Sequence, residues 1–93
     1  MSVIEISRAH TMGADGAKKT ADELATGLSN RFGMDYSWQQ DVLKFRRSGV
    51  KGQLEVDDEH IHIKLELGFM VRPFKARIEQ EIHNHLDGME GIS

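Results

Sequence analysis

The chain has 93 residues, a formal net charge of -3 with its histidines neutral, 39% hydrophobic and 29% charged residues, and no cysteine. This is the length and make-up of one small globular domain, expected to span 1–93, and the missing thiols exclude disulfides, cysteine nucleophiles and cysteine-ligated zinc. The negative balance argues against general nucleic-acid binding. No apolar run approaches the ~20 residues that cross a bilayer, and Met1-Ser2-Val3-Ile4-Glu5 lacks the basic and apolar parts of a signal peptide, so a cytoplasmic protein without a transmembrane segment is expected.

Val3 to Ser7 is short and β-branched and reads as a strand with Ile4 and Ile6 on one face. A loop, Arg8-Ala9-His10, leads to a helix whose N-cap is expected at Thr11 or Asp15. Ala14, Ala17, Ala21, Leu24, Ala25, Leu28 and Phe32 recur at spacings of three and four, the apolar stripe of one helix face. Gly33 is the expected stop, with Arg31 well placed at the negative helix end. Met34 to Gln39 alternates again, with Tyr36 and Trp38 on one side, and Gln39-Gln40-Asp41 turns the chain.

Val42 to Arg47 is the next strand, Leu43 and Phe45 inward, followed by a tight hairpin signal at Ser48-Gly49. Val50, Gly52, Leu54 and Val56 face inward on the strand after it. Asp57-Asp58-Glu59 makes another turn. Ile61, Ile63, Leu65 and Leu67 then alternate with His60, His62, Lys64 and Glu66, the pattern of an antiparallel strand wetted on one side. Gly68 ends that strand, and Pro73 suits the first turn of a last helix. Its buried stripe is expected to be Phe74, Ile78, Ile82, Leu86 and Met89, with Gly88 and Gly91 fraying the end. The order β-α-β-β-β-β-α predicts an α+β fold, a two-layer sandwich with two helices on one face of an antiparallel sheet. Such a sheet leaves an edge open, so a homodimer through strand pairing is one expected assembly.

Chemistry-bearing residues are sparse. His60 and His62 share a strand face, but that face is expected to be solvated, so no metal site is assigned. His83 and His85 are two apart on a helix and point roughly 200° apart, too far to chelate together. His10 is expected to tether its loop by bonding to backbone. Asp22, Glu23, Glu79 and Glu81 read as surface carboxylates, with no pair placed for acid–base work. The outer sheet face, from Lys44 and Arg46 through Lys51, Gln53 and Glu55 to His60, His62, Lys64 and Glu66, is expected to be a solvated face with cross-strand charge pairs, or else a protein-binding or dimerisation surface.

The start of the last helix is unusual. Arg72, Lys75 and Arg77 crowd an end where the macrodipole is already positive, each disfavoured by about 0.3–1 kcal/mol at low salt. A partner anion, or pairing with Glu55 or Glu66, would offset this. Beside them runs the apolar connection Phe69-Met70-Val71. The six residues Phe69, Met70, Val71, Arg72, Lys75 and Arg77 are the candidate partner- or surface-binding site; the competing and slightly favoured expectation is that Phe69, Met70 and Val71 serve the core while the cations simply solvate, and Phe74 is expected to plug the core. Tyr36, Trp38 and Phe45 are the candidate lining of a hydrophobic ligand pocket.

The run Leu43-Lys44-Phe45-Arg46-Arg47-Ser48-Gly49-Val50-Lys51-Gly52, followed by Leu67-Gly68-Phe69 and by Arg72-Pro73-Phe74-Lys75-Ala76-Arg77-Ile78-Glu79, resembles the polyhydroxyalkanoic acid system protein family. Ile6, His10 and Gly13, the Ala-rich helix and the Tyr36/Trp38 strand agree with it, and the resemblance covers essentially the whole chain. Met12, where Leu is expected, and Met70-Val71 after Phe69 depart from it mildly. The resemblance implies a bacterial protein linked to polyhydroxyalkanoate storage. It implies no reaction, no cofactor and no catalytic residue. The expected function is a non-enzymatic accessory protein that associates with polyhydroxyalkanoate granules or a granule-associated protein. The alternative is a binder of small acyl or hydrophobic ligands.

Overall fold

The structure, a computed structural model, describes residues 2–90, and the side chains of residues 2–87. Five strands form one antiparallel sheet in the order β1-β5-β4-β3-β2: β1 is Ser2–Ala9, β2 Asp35–Gln39, β3 Val42–Arg47, β4 Val50–Val56 and β5 His60–Leu67. Helix α1, Gly13–Phe32, carries the chain from one sheet edge to the other, and α2, Lys75–Glu90, follows a 3-10 segment, Phe69–Phe74. Both helices lie on the same face and touch each other; α1 covers β2, β4 and β5, and α2 covers β1. The α+β architecture and its element order are those expected from the sequence.

Strand register follows from the two-residue side-chain period. Ile4, Leu65, Gly52, Phe45 and Tyr36 stand in one row across the sheet, and Ile6, Ile63, Leu54, Leu43 and Trp38 in the next. Ala17, Ala21, Leu24, Ala25 and Leu28 of α1 and Ile78, Ile82 and Leu86 of α2 close over these rows, all fully buried. Each buried Leu or Ile contributes about 1.5–3 kcal/mol. The three alanines hold α1 close to the sheet without spending core volume.

Boundaries differ from the sequence reading for identifiable reasons. β1 continues to Ala9, which pairs with His60, because inward-facing Arg8 is held from α2: its Nη2 donates to His83 Nδ1 at 3.0 Å and its Nη1 lies 2.9 Å from Asp87 Oδ1. Neither Thr11 nor Asp15 caps α1. The helix starts after Met12 with no side-chain cap, and the Met12 N–H instead donates to His10 Nδ1 at 3.2 Å. Gly33 ends α1 as expected, left-handed at φ 69°, donating its N–H to Ser29 O at 2.9 Å. Pro73 falls within the 3-10 segment, ahead of α2. Phe74 is 45% exposed, so the core is closed without it. Gly88 does not stop α2, which runs to Glu90; the burial expected of Met89 and the fraying expected at Gly91 lie outside the described residues.

Candidate functional site

The chain leaves β5 at Gly68, whose N–H donates to Gly49 O in the β3–β4 turn at 2.7 Å. That bond fixes where the 3-10 segment begins. Val71 then folds back against Gly49 and is 7% exposed. Of the six residues proposed from sequence for partner contact, Val71 is therefore an anchor, and its side chain lies outside any contact surface. With Val71 pinned inward, Phe69 and Met70 are forced out, at 77% and 81% exposed. Phe74 adds a third partly exposed apolar side chain.

Arg72 and Arg77 are exposed and Lys75 half-buried, and no acidic residue occupies the first turn of α2. Pairing with Glu55 or Glu66 does not occur among the described residues. Both glutamates belong to strand positions that face away from the helix layer, so the cations at the start of α2 meet solvent. An apolar tip and three cations thus share one short stretch of surface.

Tyr36, Trp38 and Phe45 do not surround a common cavity. Phe45 is a core residue at 2% exposure. Tyr36 and Trp38 seal the core's margin against α1, the tyrosine hydroxyl 3.2 Å from Thr26 Oγ1 and Trp38 Nε1 donating to Asp22 Oδ1 at 3.1 Å. Tyr36 and Phe45 do border a groove of about 670 Å³, but it lies on the opposite, helix-free face of the sheet, and Trp38 is not part of its lining.

The histidines are structural in geometry. His10 Nε2 donates to Asp57 O at 3.0 Å while Nδ1 accepts from the Met12 N–H. It joins the β1–α1 loop to the β4–β5 turn, the tethering role expected for it. His62 lies 3.8 Å from Glu5 across β1 and β5, and no group of metal-ligating side chains gathers among the described residues.

A polar cluster between the helices was not anticipated from the sequence. Glu81, read there as a surface carboxylate, is 9% exposed. Its Oε1 lies 3.0 Å from Arg31 Nε, and its Oε2 2.9 Å from His85 Nε2. A Cβ on Gly27 would stand 2.5 Å from that Oε2, so a larger residue there would push the tip of the carboxylate aside. The signal was present as Glu81 and His85 at i,i+4 together with a glycine inside the facing helix.

A family model described as "Putative polyhydroxyalkanoic acid system protein" matches residues 4–89. The chain belongs to that family. Its name ties the chain to the polyhydroxyalkanoate system. No curated protein and no solved structure matches the chain.

Proposed function

We propose that the chain is a non-enzymatic accessory of the polyhydroxyalkanoate system that attaches to the storage granule, or to a protein on it, through the 3-10 segment and the start of α2. The observation that carries this reading is the exposure of Phe69 and Met70, 77% and 81%, immediately ahead of Arg72, Lys75 and Arg77. Burying a Phe or Met side chain against a partner contributes about 1.5–3 kcal/mol each. The cations, disfavoured where they stand, gain on meeting anionic groups. Apolar anchors beside positive charge suit an interface that is apolar within and negative at its rim. On this reading the protein works in the bacterial cytoplasm at the granule surface.

Fluorescence imaging of a tagged chain in polymer-accumulating cells tests it. Wild type is expected to decorate granules, and Phe69→Ser/Met70→Ser to become diffuse at equal expression. A double variant that still decorates granules contradicts the proposed surface.

A further inference from the structure

The helix-free face of the sheet gathers four cations on three neighbouring strands, two of them directly opposite each other. β3, β4 and β5 bring Lys44, Arg46, Lys51 and Lys64 to this face, where all four line the groove of about 670 Å³. The register sets Arg46 directly opposite Lys51, a like-charge cross-strand pair of the kind that destabilises a sheet. Lys44 and Lys64 stand on either side of Gln53, two strand spacings or roughly 10 Å apart. Lys44 and Arg46 are two residues apart on one strand, about 7 Å. Lys44, Arg46 and Lys64 thus mark three corners of a patch of about 7 by 10 Å, with Lys51 on the side between Arg46 and the fourth corner.

Among the described residues, Arg46, Lys51 and Lys64 form no ion pair. Lys44 donates only to Gln53 Oε1 at 3.3 Å. The acids next in register, Asp35 opposite Arg46 and Glu66 opposite Lys51, also line the groove, Glu66 at the fourth corner of the patch, and neither pairs with the cations among the described residues. The groove's volume lies within the about 300–1,000 Å³ typical of small-molecule sites.

We propose that this groove binds a small organic molecule carrying two or more oxyanion groups, phosphate or carboxylate. One oxyanion satisfies one side of the patch; Arg46 offers a planar, two-pronged donor for it. A second oxyanion is needed to reach Lys64 across the strands. A long polyanion fits less well, because Asp35 on β2 and Glu5 on β1 bound the cationic patch on both sides. A second copy apposed through this face would set cation against cation at its centre. The site is separate from the surface proposed for granule contact, and neither depends on the other.

Backbone amide chemical-shift titration tests the proposal, using inorganic pyrophosphate, citrate and, as a single-charge control, acetate at matched ionic strength. Saturable shifts at Lys51, Gln53 and Lys64 with pyrophosphate or citrate, and none with acetate, are expected. Response to pyrophosphate alone assigns a phosphate-bearing ligand, and to citrate alone a polycarboxylate. Arg46→Gln/Lys51→Gln is expected to weaken binding at least about tenfold while melting no lower than wild type, since it removes a like-charge pair. Lys64→Gln reads the same loss should the double variant fold poorly. No saturable shift by about 10 mM, or binding that both variants leave intact, overturns it.

Discussion

Asp57 shows how one exposed carboxylate sets a turn. Its Oδ1 accepts the N–H groups of Glu59 at 2.8 Å and His60 at 2.6 Å, and these bonds hold its carboxyl below the ordinary value of 3.8. A group whose folded pKa is depressed contributes stability above its unfolded pKa and loses it as pH falls through the folded one. Asp57→Ala is therefore expected to melt below wild type at neutral pH, with the difference closing as the pH drops below the ordinary carboxylate range. A difference independent of pH contradicts this assignment. Lys18 behaves with the opposite sign: its bond to Asp41 raises its pKa above 10.5, so its contribution is present below that value and lost in strong alkali. At Gly27, two effects compete. Alanine improves helix propensity by about 1 kcal/mol. Its Cβ also displaces Glu81 from Arg31 and His85 in a mostly buried setting, a loss of about 1–3 kcal/mol. Gly27→Ala is expected to lower the urea midpoint, and a raised midpoint contradicts the close approach seen between the helices.

Among the elements, β4 is the most constrained. Gly52 faces the helix layer between Phe45 and Leu65, and any Cβ there runs into the Leu65 side chain and the Lys64 carbonyl. Gly52→Ala is expected to destabilise by about 2 kcal/mol or more in chemical denaturation, because backbone cannot yield as a side-chain tip does. An unchanged midpoint contradicts the packing. The strands were legible because alternation is local: Ile61, Ile63, Leu65 and Leu67 declare their face without help from the rest of the chain. The Ser48-Gly49 turn likewise fixes which residues of β3 and β4 face each other, so the opposition of Arg46 and Lys51 was available in the sequence. Phe74 and Glu81 were not readable in this way. Phe74 sits at the end of a 3-10 segment, where a helical period no longer says which side faces the core. Glu81 is buried by a glycine on a different helix, a fact of tertiary packing. The patch Phe69-Met70 was legible as apolar, but its exposure depends on Val71 docking against Gly49, a contact across twenty-two residues of chain.

At the scale of the molecule, both helices cover one sheet face, and β1 and β2 form its edges. Two surfaces are left with properties the core does not require: the apolar and cationic stretch from Phe69 to Arg77, and the cationic groove on the open face. Among the described residues, neither helix has an apolar side free to coat a surface, since the stripes of α1 and α2 are used on the sheet. The proposed attachment is accordingly local, through a projecting turn. Co-sedimentation with isolated polyhydroxyalkanoate granules, native and stripped of their proteins, tests that claim most directly when wild type is run beside Phe69→Ser/Met70→Ser/Arg72→Glu. The account predicts that wild type pellets with native granules and the triple variant stays in the supernatant; retention on stripped granules then assigns the contact to the polymer surface, and its loss to a granule protein. Wild type that pellets with neither preparation, or a triple variant that pellets as well as wild type, contradicts it.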